Sequence, residues 1–157
     1  MSALLQWKQR SERKPLIIQG ARQIGKTWIM RKFGEEHFDY VAYFNFDASE
    51  ELCREFENTK SPERLLGILR LYTEYPIEAG RTLIIFDEIQ QSNKALNSLK
   101  YFCEETPEYH ILAAGSLLGI SLSQGDSFPV GKVEFLQMYP VTFREFLCVE
   151  CTNIWRI

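Results

Sequence analysis

Histidine and cysteine are scarce in this chain: His37 and His110 are the two histidines, and Cys53, Cys103, Cys148 and Cys151 the four cysteines. Only Cys148 and Cys151 form a C-x-x-C pair. A structural zinc site needs a second such pair or histidines at ligand spacing, so the thiols are expected to be reduced and metal-free. Long apolar runs are missing as well; nothing approaches the ~18 residues of a spanning helix. The N-terminus has no secretory apolar core. The expectation is a soluble, cytoplasmic protein without a membrane partner. Excess positive charge is also lacking, with 18 Lys and Arg against 21 Asp and Glu and a net charge of −3. That balance, and the absence of a basic stripe interleaved with aromatics, does not support nucleic acid as a partner. There is no internal repeat and no low-complexity segment.

What the chain does have is enough apolar material for a core. Of its 157 residues 45% are apolar, and the length fits one domain over residues 1–157. The stretch that organises it is Gly20-Ala21-Arg22-Gln23-Ile24-Gly25-Lys26-Thr27. It meets the phosphate-binding pattern G-x-x-x-x-G-K-[ST] at every fixed position, and its setting is the one that pattern requires. Pro15 to Gln19 is a short apolar run that reads as a buried strand, and after Thr27 the residues Ile29, Met30 and Phe33 recur at helical spacing. Loop N–H groups must turn inward around a polyphosphate, and glycine permits that turn and the close approach. The helix that follows adds unpaired N–H groups and the positive end of its dipole. Lys26 would meet the outer phosphates as a point charge, and the Thr27 hydroxyl would ligate Mg2+. Trp28 lies near the base or α-phosphate, or packs partly buried. Arg22 touches phosphate or a neighbouring protomer, or forms a surface ion pair.

The rest of the chain alternates strands and helices. A short amphipathic helix with Leu4, Leu5 and Trp7 is expected within residues 1–14, ended by Pro15. Residues 40–46 are aromatic and β-branched and read as a second strand. Residues 47–58 are a loop and a short helix with Leu52 and Phe56 inward. Ser61-Pro62-Glu63 starts a helix, with serine as N-cap and proline in the first turn, that is expected to run on to Pro76 with Tyr72 on its apolar face. Residues 81–86 are a strand buried on both faces, residues 92–104 a helix, and residues 110–114 a fourth buried strand. A loop over 119–131, a fifth strand over 133–138 and a helix beginning at Thr142 complete the pattern. This alternation predicts an α/β fold with a mainly parallel sheet.

The third strand runs into Asp87-Glu88. Ligands of a parallel sheet gather at the carboxyl ends of its strands, so this pair should face the same crevice as the glycine loop. Asp87 is placed for the metal shell. Glu88 is placed to orient or deprotonate the water that attacks a γ-phosphate. The strand at 40–46 lies in sequence between the loop strand and this acidic strand. That suits the glutamate-using, additional-strand branch of phosphate-loop ATPases, where a polar residue on the intervening strand sits near the γ-phosphate. Ser116 occupies that position, and a simple turn serine is its other reading. Lys132 reads as a solvated lysine.

Here the sequence resembles a family. The segments 15–27, Phe44-Asn45-Phe46-Asp47, 85–90, Ala114-Gly115-Ser116, Gly131-Lys132-Val133-Glu134 and 138–147 are similar, in order, to the bacterial and archaeal AAA-superfamily predicted ATPases. In these a small ATPase domain precedes a C-terminal domain. The resemblance implies a P-loop NTPase three-layer sandwich with a five-stranded sheet ordered 5-1-4-3-2. It implies ATP and Mg2+ as ligands. It also implies hydrolysis with Glu88, Lys26 and Ser116 as catalytic residues, Gly20, Ala21, Arg22, Gln23, Ile24, Gly25, Lys26, Thr27 and Trp28 around the nucleotide, and Thr27 and Asp87 at the metal. Relatives continue further, so the chain is expected to be a fragment, with residues 142–157 opening a truncated extension. A homo-oligomer or the C-terminal domain would then be the partner. No arginine finger or lid is assigned. A switch or motor ATPase is the first reading, and a nucleotide-gated binding module with little hydrolysis the second. A GTP switch is disfavoured because Asn93-Lys94-Ala95-Leu96 lacks the aspartate of guanine readers. Kinase chemistry fits the Asp87-Glu88 pair less well than attack by water.

Overall fold

The computed structural model describes residues 1–116, 129 and 131–140. Its five strands are β1 (Leu16–Gly20), β2 (Tyr40–Asn45), β3 (Thr82–Asp87), β4 (His110–Ser116) and β5 (Glu134–Gln137). They form one sheet in the order β2-β3-β4-β1-β5, which is the expected 5-1-4-3-2 read from the other edge. Every pairing is parallel. The helices are α1 (Ser2–Lys8), α2 (Lys26–His37), α3 (Glu50–Asn58), α4 (Pro62–Leu69) and α5 (Asn93–Glu105), with a single 3-10 turn at Ile89–Gln91. The expected helix at Thr142, the loop over 119–128 and the Cys148/Cys151 pair lie outside the described residues.

Strand alternation decides which helix covers which face. Successive side chains of a strand point to opposite sides. Leu16, Ile18, Leu83, Ile85, Leu112 and Ala114 therefore join Leu4 and Trp7 of α1 and Met30 and Phe33 of α2 in one apolar layer. Ile17, Ala42, Phe44, Ile84, Phe86, Ile111 and Ala113 face the other way, into α3, α4 and α5. All six residues of β3 are buried, as expected of a parallel strand with both faces covered. Among the described residues no helix is long and apolar enough to cross a membrane.

Local chemistry sets the helix ends. The Ser49 and Ser92 side chains accept from the N–H groups of Leu52 and Ala95 and so cap α3 and α5. Ser61 is the N-cap residue of α4 with Pro62 in the first turn, yet its side chain makes no capping bond. That helix also ends sooner than its sequence suggests. Leu71 N–H and Tyr72 N–H donate to the carbonyls of Ile68 and Leu69 at 2.8 and 3.1 Å, a tightened three-residue spacing that closes the last turn. Tyr72 still packs against the core, but from the turn beyond the helix.

One buried group carries a pH signature. His110, at the start of β4, is enclosed by the edges of the Trp7 and Phe38 rings, and its Nδ1 has no hydrogen-bond partner among the described residues. Burial, helped by the positive charges of Arg13 and Lys8, lowers its pKa from 6.5 to about 4. The folded chain thus refuses a proton that the unfolded chain takes up below pH 6.5. Its contribution is complete above that pH and is lost as the pH falls toward 4. The melting temperature should fall between pH 7 and pH 5, above the main carboxylate range, and His110→Gln should flatten that fall; an identical slope in both proteins would remove His110 as its source.

Candidate nucleotide site

The loop between β1 and α2 is shaped by two positions that only glycine can fill. At Gly20 a β-carbon would stand 2.3 Å from the backbone oxygen of Met138 and 2.7 Å from Ile24 Cδ1. Gly25, the N-cap of α2, has φ of 90°, in the left-handed region. Gln23 shares that region at 60°, an uncommon conformation for a residue with a side chain. The left-handed turns curl the loop back over the start of α2, whose first turn has no capping side chain and no acidic residue. Its first N–H groups thus have no side-chain cap, an arrangement shared with helix N-termini that hold phosphate.

Lys26 is drawn into this loop. It is 6% exposed, and its Nζ donates to the carbonyls of Gly20 at 3.2 Å and Ala21 at 2.6 Å. Such bonds keep a charged group inside a nearly buried position at tolerable cost. Thr27, next along the first turn, donates its hydroxyl to Asp87 Oδ2 at 2.6 Å. The expected metal pair is thus in direct contact, although β4 lies between β1 and β3 in the sheet. Asp87 is 3% exposed. It also accepts from the Tyr43 hydroxyl on Oδ2 at 2.7 Å and from Glu88 N–H on Oδ1 at 3.1 Å.

Glu88 follows with φ of 51° and ψ of 41°. This left-handed step at the strand end turns the chain sharply into the 3-10 turn. Its carboxylate accepts from Gln90 Nε2 at 2.5 Å, and Gln90 Oε1 in turn accepts from Ser116 N–H at 3.3 Å. Ser116 is the last residue of β4 and pairs in register with Gly20. Of the residues singled out from sequence, Gly20, Gly25, Lys26, Thr27, Asp87, Glu88 and Ser116 therefore gather at the carboxyl edge of β1, β4 and β3. Ala21, Arg22 and Gln23 are exposed on the loop's outer surface, and Ile24 is half-buried. Trp28 is 68% exposed, so the partly buried packing role is not the one it plays. Lys132 is at the surface, in an ion pair with Glu104 at 2.9 Å. Gln90 and Tyr43 were not legible as site residues. Gln90 becomes one through the turn at Glu88, and Tyr43 through strand register; neither carries a sequence pattern.

Among the described residues no group of three or more His, Cys, Asp or Glu side chains could hold a metal ion by itself. A cation here would need phosphate oxygens and water besides Thr27 and the Asp87 shell, which is how Mg2+ is usually held.

Comparison with known proteins agrees with this geometry. The AAA domain family matches residues 12–147, and the chain belongs to that family, a class of P-loop ATPase domains. A search of curated proteins returns no significant match. Among solved structures, the Walker-type ATPase PABY2304 of Pyrococcus abyssi is similar at 18% identity and a TM-score of 0.57, over 91% of this chain and 55% of that one. A chain of the Drosophila ORC complex bound to AT-rich DNA and Cdc6 is similar at 14% identity and a TM-score of 0.53, over 99% and 61%. At such identities the likeness concerns the fold. The chain spans less than two thirds of the length of either neighbour.

The glycine geometry yields a paired test. Gly20→Ala forces a β-carbon against a backbone oxygen and should destabilise by about 1–3 kcal/mol. Gly67→Ala, in the interior of α4 with nothing within 4 Å of the new carbon, should stabilise by roughly 0.5–1 kcal/mol. Thermal melts of both should move in opposite directions, and a Gly20→Ala protein as stable as the parent would mean the loop sits elsewhere.

Proposed function

We propose that this chain is an ATP hydrolase module that binds ATP with Mg2+ and hydrolyses its β–γ anhydride by attack of water. The observation that carries the reading is the direct Thr27–Asp87 contact beside a lysine held inside a glycine loop. The donor set suits the ligand. Loop and helix N–H groups and one buried ammonium suit a polyphosphate, and a hydroxyl that donates to a carboxylate keeps its lone pairs for a hard cation. When bound, Mg2+ supplies neutralisation of charge on the β- and γ-phosphates.

The chain's own residues divide the remaining work. Lys26 would exchange its two carbonyl acceptors for phosphate oxygens. Asp87 orients Thr27 and the metal's water shell. Glu88 stands one residue further along and orients the attacking water, accepting its proton as the bond to the leaving ADP breaks. Ser116, in register with Gly20, is positioned to hydrogen-bond a γ-phosphate. Arg22 and Trp28 face outward from the loop, where a base or a neighbouring protomer could meet them. A homo-oligomer or a further domain is the partner this reading favours; the acidic net charge gives no support to DNA.

A second reading, a nucleotide-gated binding module that scarcely hydrolyses, is favoured by one specific observation. The Glu88 carboxylate is already engaged by Gln90. A restrained carboxylate is less free to serve water.

Three variants test these readings, the first both together and the other two the hydrolysis that divides them. Lys26→Ala should abolish ATP binding. Glu88→Gln should keep binding and lose hydrolysis by about 10²-fold or more; turnover equal to the parent would end its assignment. Gln90→Ala should slow turnover if Gln90 aligns Glu88, and should speed it, with binding unchanged, if Gln90 restrains it.

A further inference from the structure

Asp87 is braced from the outer edge of the sheet as well as from the glycine loop. Among the described residues β2 is an outer strand, paired to β3 with Tyr43 opposite Ile85 and Asn45 opposite Asp87. Tyr43, Asn45, Ile85 and Asp87 share the α2 face by alternation. Asn45, the residue directly beside Asp87, is committed elsewhere. Its side-chain oxygen accepts from the N–H groups of Asp47 and Ala48 at 2.9 and 3.3 Å, turning the chain after the strand. Tyr43, one pleat earlier, is long enough to reach past it, and its hydroxyl donates to Asp87 Oδ2 at 2.7 Å. That is the same oxygen that Thr27 meets at 2.6 Å.

The ring is held in turn. The guanidinium of Arg31 lies 3.8 Å from the centre of the Tyr43 ring, a cation–π contact. Arg31 is one helical turn beyond Thr27, so both stand on one face of α2. Thr27, Asp87, Tyr43 and Arg31 thus close a loop of contacts between α2, β3 and β2. Tyr43 packs against the rim of the α2-side core rather than within it. It and Arg31 line an open cavity of about 600 Å³ with Tyr40, Tyr72 and Tyr75.

We infer that Tyr43 is a positioning residue for the cation that accompanies the nucleotide, holding the Asp87 carboxylate in the orientation that meets Thr27, with Arg31 keeping the phenol in place. The inference rests on the proposed Mg–ATP reading of the site. A carboxylate with two hydroxyl donors on one oxygen and a backbone N–H on the other has little rotational freedom. Loss of the phenol hydroxyl leaves Oδ2 to Thr27 alone and widens the range over which the carboxylate turns about its last bond, and narrowing that range again then draws on the binding of the cation. Outer partners of metal ligands act in this way, and their removal typically costs about 10–100-fold in metal affinity. Phosphate contacts of the loop and of Lys26 do not pass through Tyr43 and keep their strength.

The experiment is calorimetric titration of ATP into the 157-residue chain, in EDTA and over a series of Mg2+ concentrations, with a thermal melt of each protein. The parent should bind ATP more tightly with Mg2+ than in EDTA. Tyr43→Phe, which keeps the ring beneath Arg31, should bind as the parent does in EDTA but need about tenfold more Mg2+ for its half-maximal gain. Arg31→Met, at an exposed position, should shift the same midpoint less and in the same direction. A parent gain that both variants retain at the parent's Mg2+ midpoint overturns the role of Tyr43 and leaves the site reading standing, even if melting temperatures fall. A parent that gains nothing from Mg2+ overturns the site reading and this inference together.

Discussion

Thr27 and Asp87 lie on elements that are not neighbours in the sheet, yet their side chains are 2.6 Å apart. The strand order makes that contact possible. With β4 between β1 and β3, the acidic end of β3 is displaced sideways from the glycine loop. The helix that leaves the loop, α2, then crosses back over β4 and β3 on one face. A right-handed crossover between parallel strands places it there, and Met30 and Phe33 hold it down by burial against Leu83, Ile85, Leu112 and Ala114. The loop's two ends are thereby fixed by different parts of the core: Gly20 by β1 and its close contact with Met138, Thr27 by the seat of α2. If α2 slid by even one residue, the hydroxyl would leave the carboxylate and the curled loop would lose its shape.

Much of this was readable in the chain, and the reasons are physical. Continuous apolar runs mark strands buried on both faces, so the strands and their alternation with helices followed from the sequence. The loop pattern carried its own geometry because Gly20 and Gly25 are required by a steric contact and a backbone angle. Less readable were features that depend on side-chain reach across a register. Tyr43 looks like any aromatic residue of a strand until Tyr43 is set opposite Ile85 and Asp87 is seen one pleat on. Gln90 looks like a polar turn residue until the left-handed backbone of Glu88 brings its amide to the carboxylate. The length of α4 was misjudged for a similar reason. A pattern of apolar residues extends to Tyr72, but tightened bonds after Ile68 end the helix and leave Tyr72 to pack from a turn.

The two faces of the sheet carry different tasks. On the α3–α5 side Phe86 is fully buried and meets the rings of Phe44, Phe46, Phe56 and Phe102 in tilted or edge-to-face contacts with centroids 5.4 to 6.2 Å apart. Such pairs add specific geometry to apolar burial. The side-chain contacts of Asp87 with Thr27 and Tyr43 are on the opposite side. Because neighbouring residues of a strand point to opposite faces, the aromatic cluster that anchors Phe86 also fixes the backbone from which Asp87 projects.

That arrangement separates stability from chemistry at a distance of one residue. The backbone at Asp87 is set by Phe86 on one face and by the bond from Phe46 N–H to the Asp87 carbonyl at 3.0 Å on the strand's outer side. Only the carboxylate's own rotation remains to be set, and three donors set it: Thr27, Tyr43 and the Glu88 N–H. Glu88 differs in kind. It sits where the strand has ended, in a strained left-handed step, with one side-chain partner among the described residues. Rigid placement therefore stops at Asp87, and the next residue is the first in the strand's path that can move without disturbing the core. Rigid placement would suit the metal-shell role proposed for Asp87, and a contact that can be released would suit the proton-accepting role proposed for Glu88.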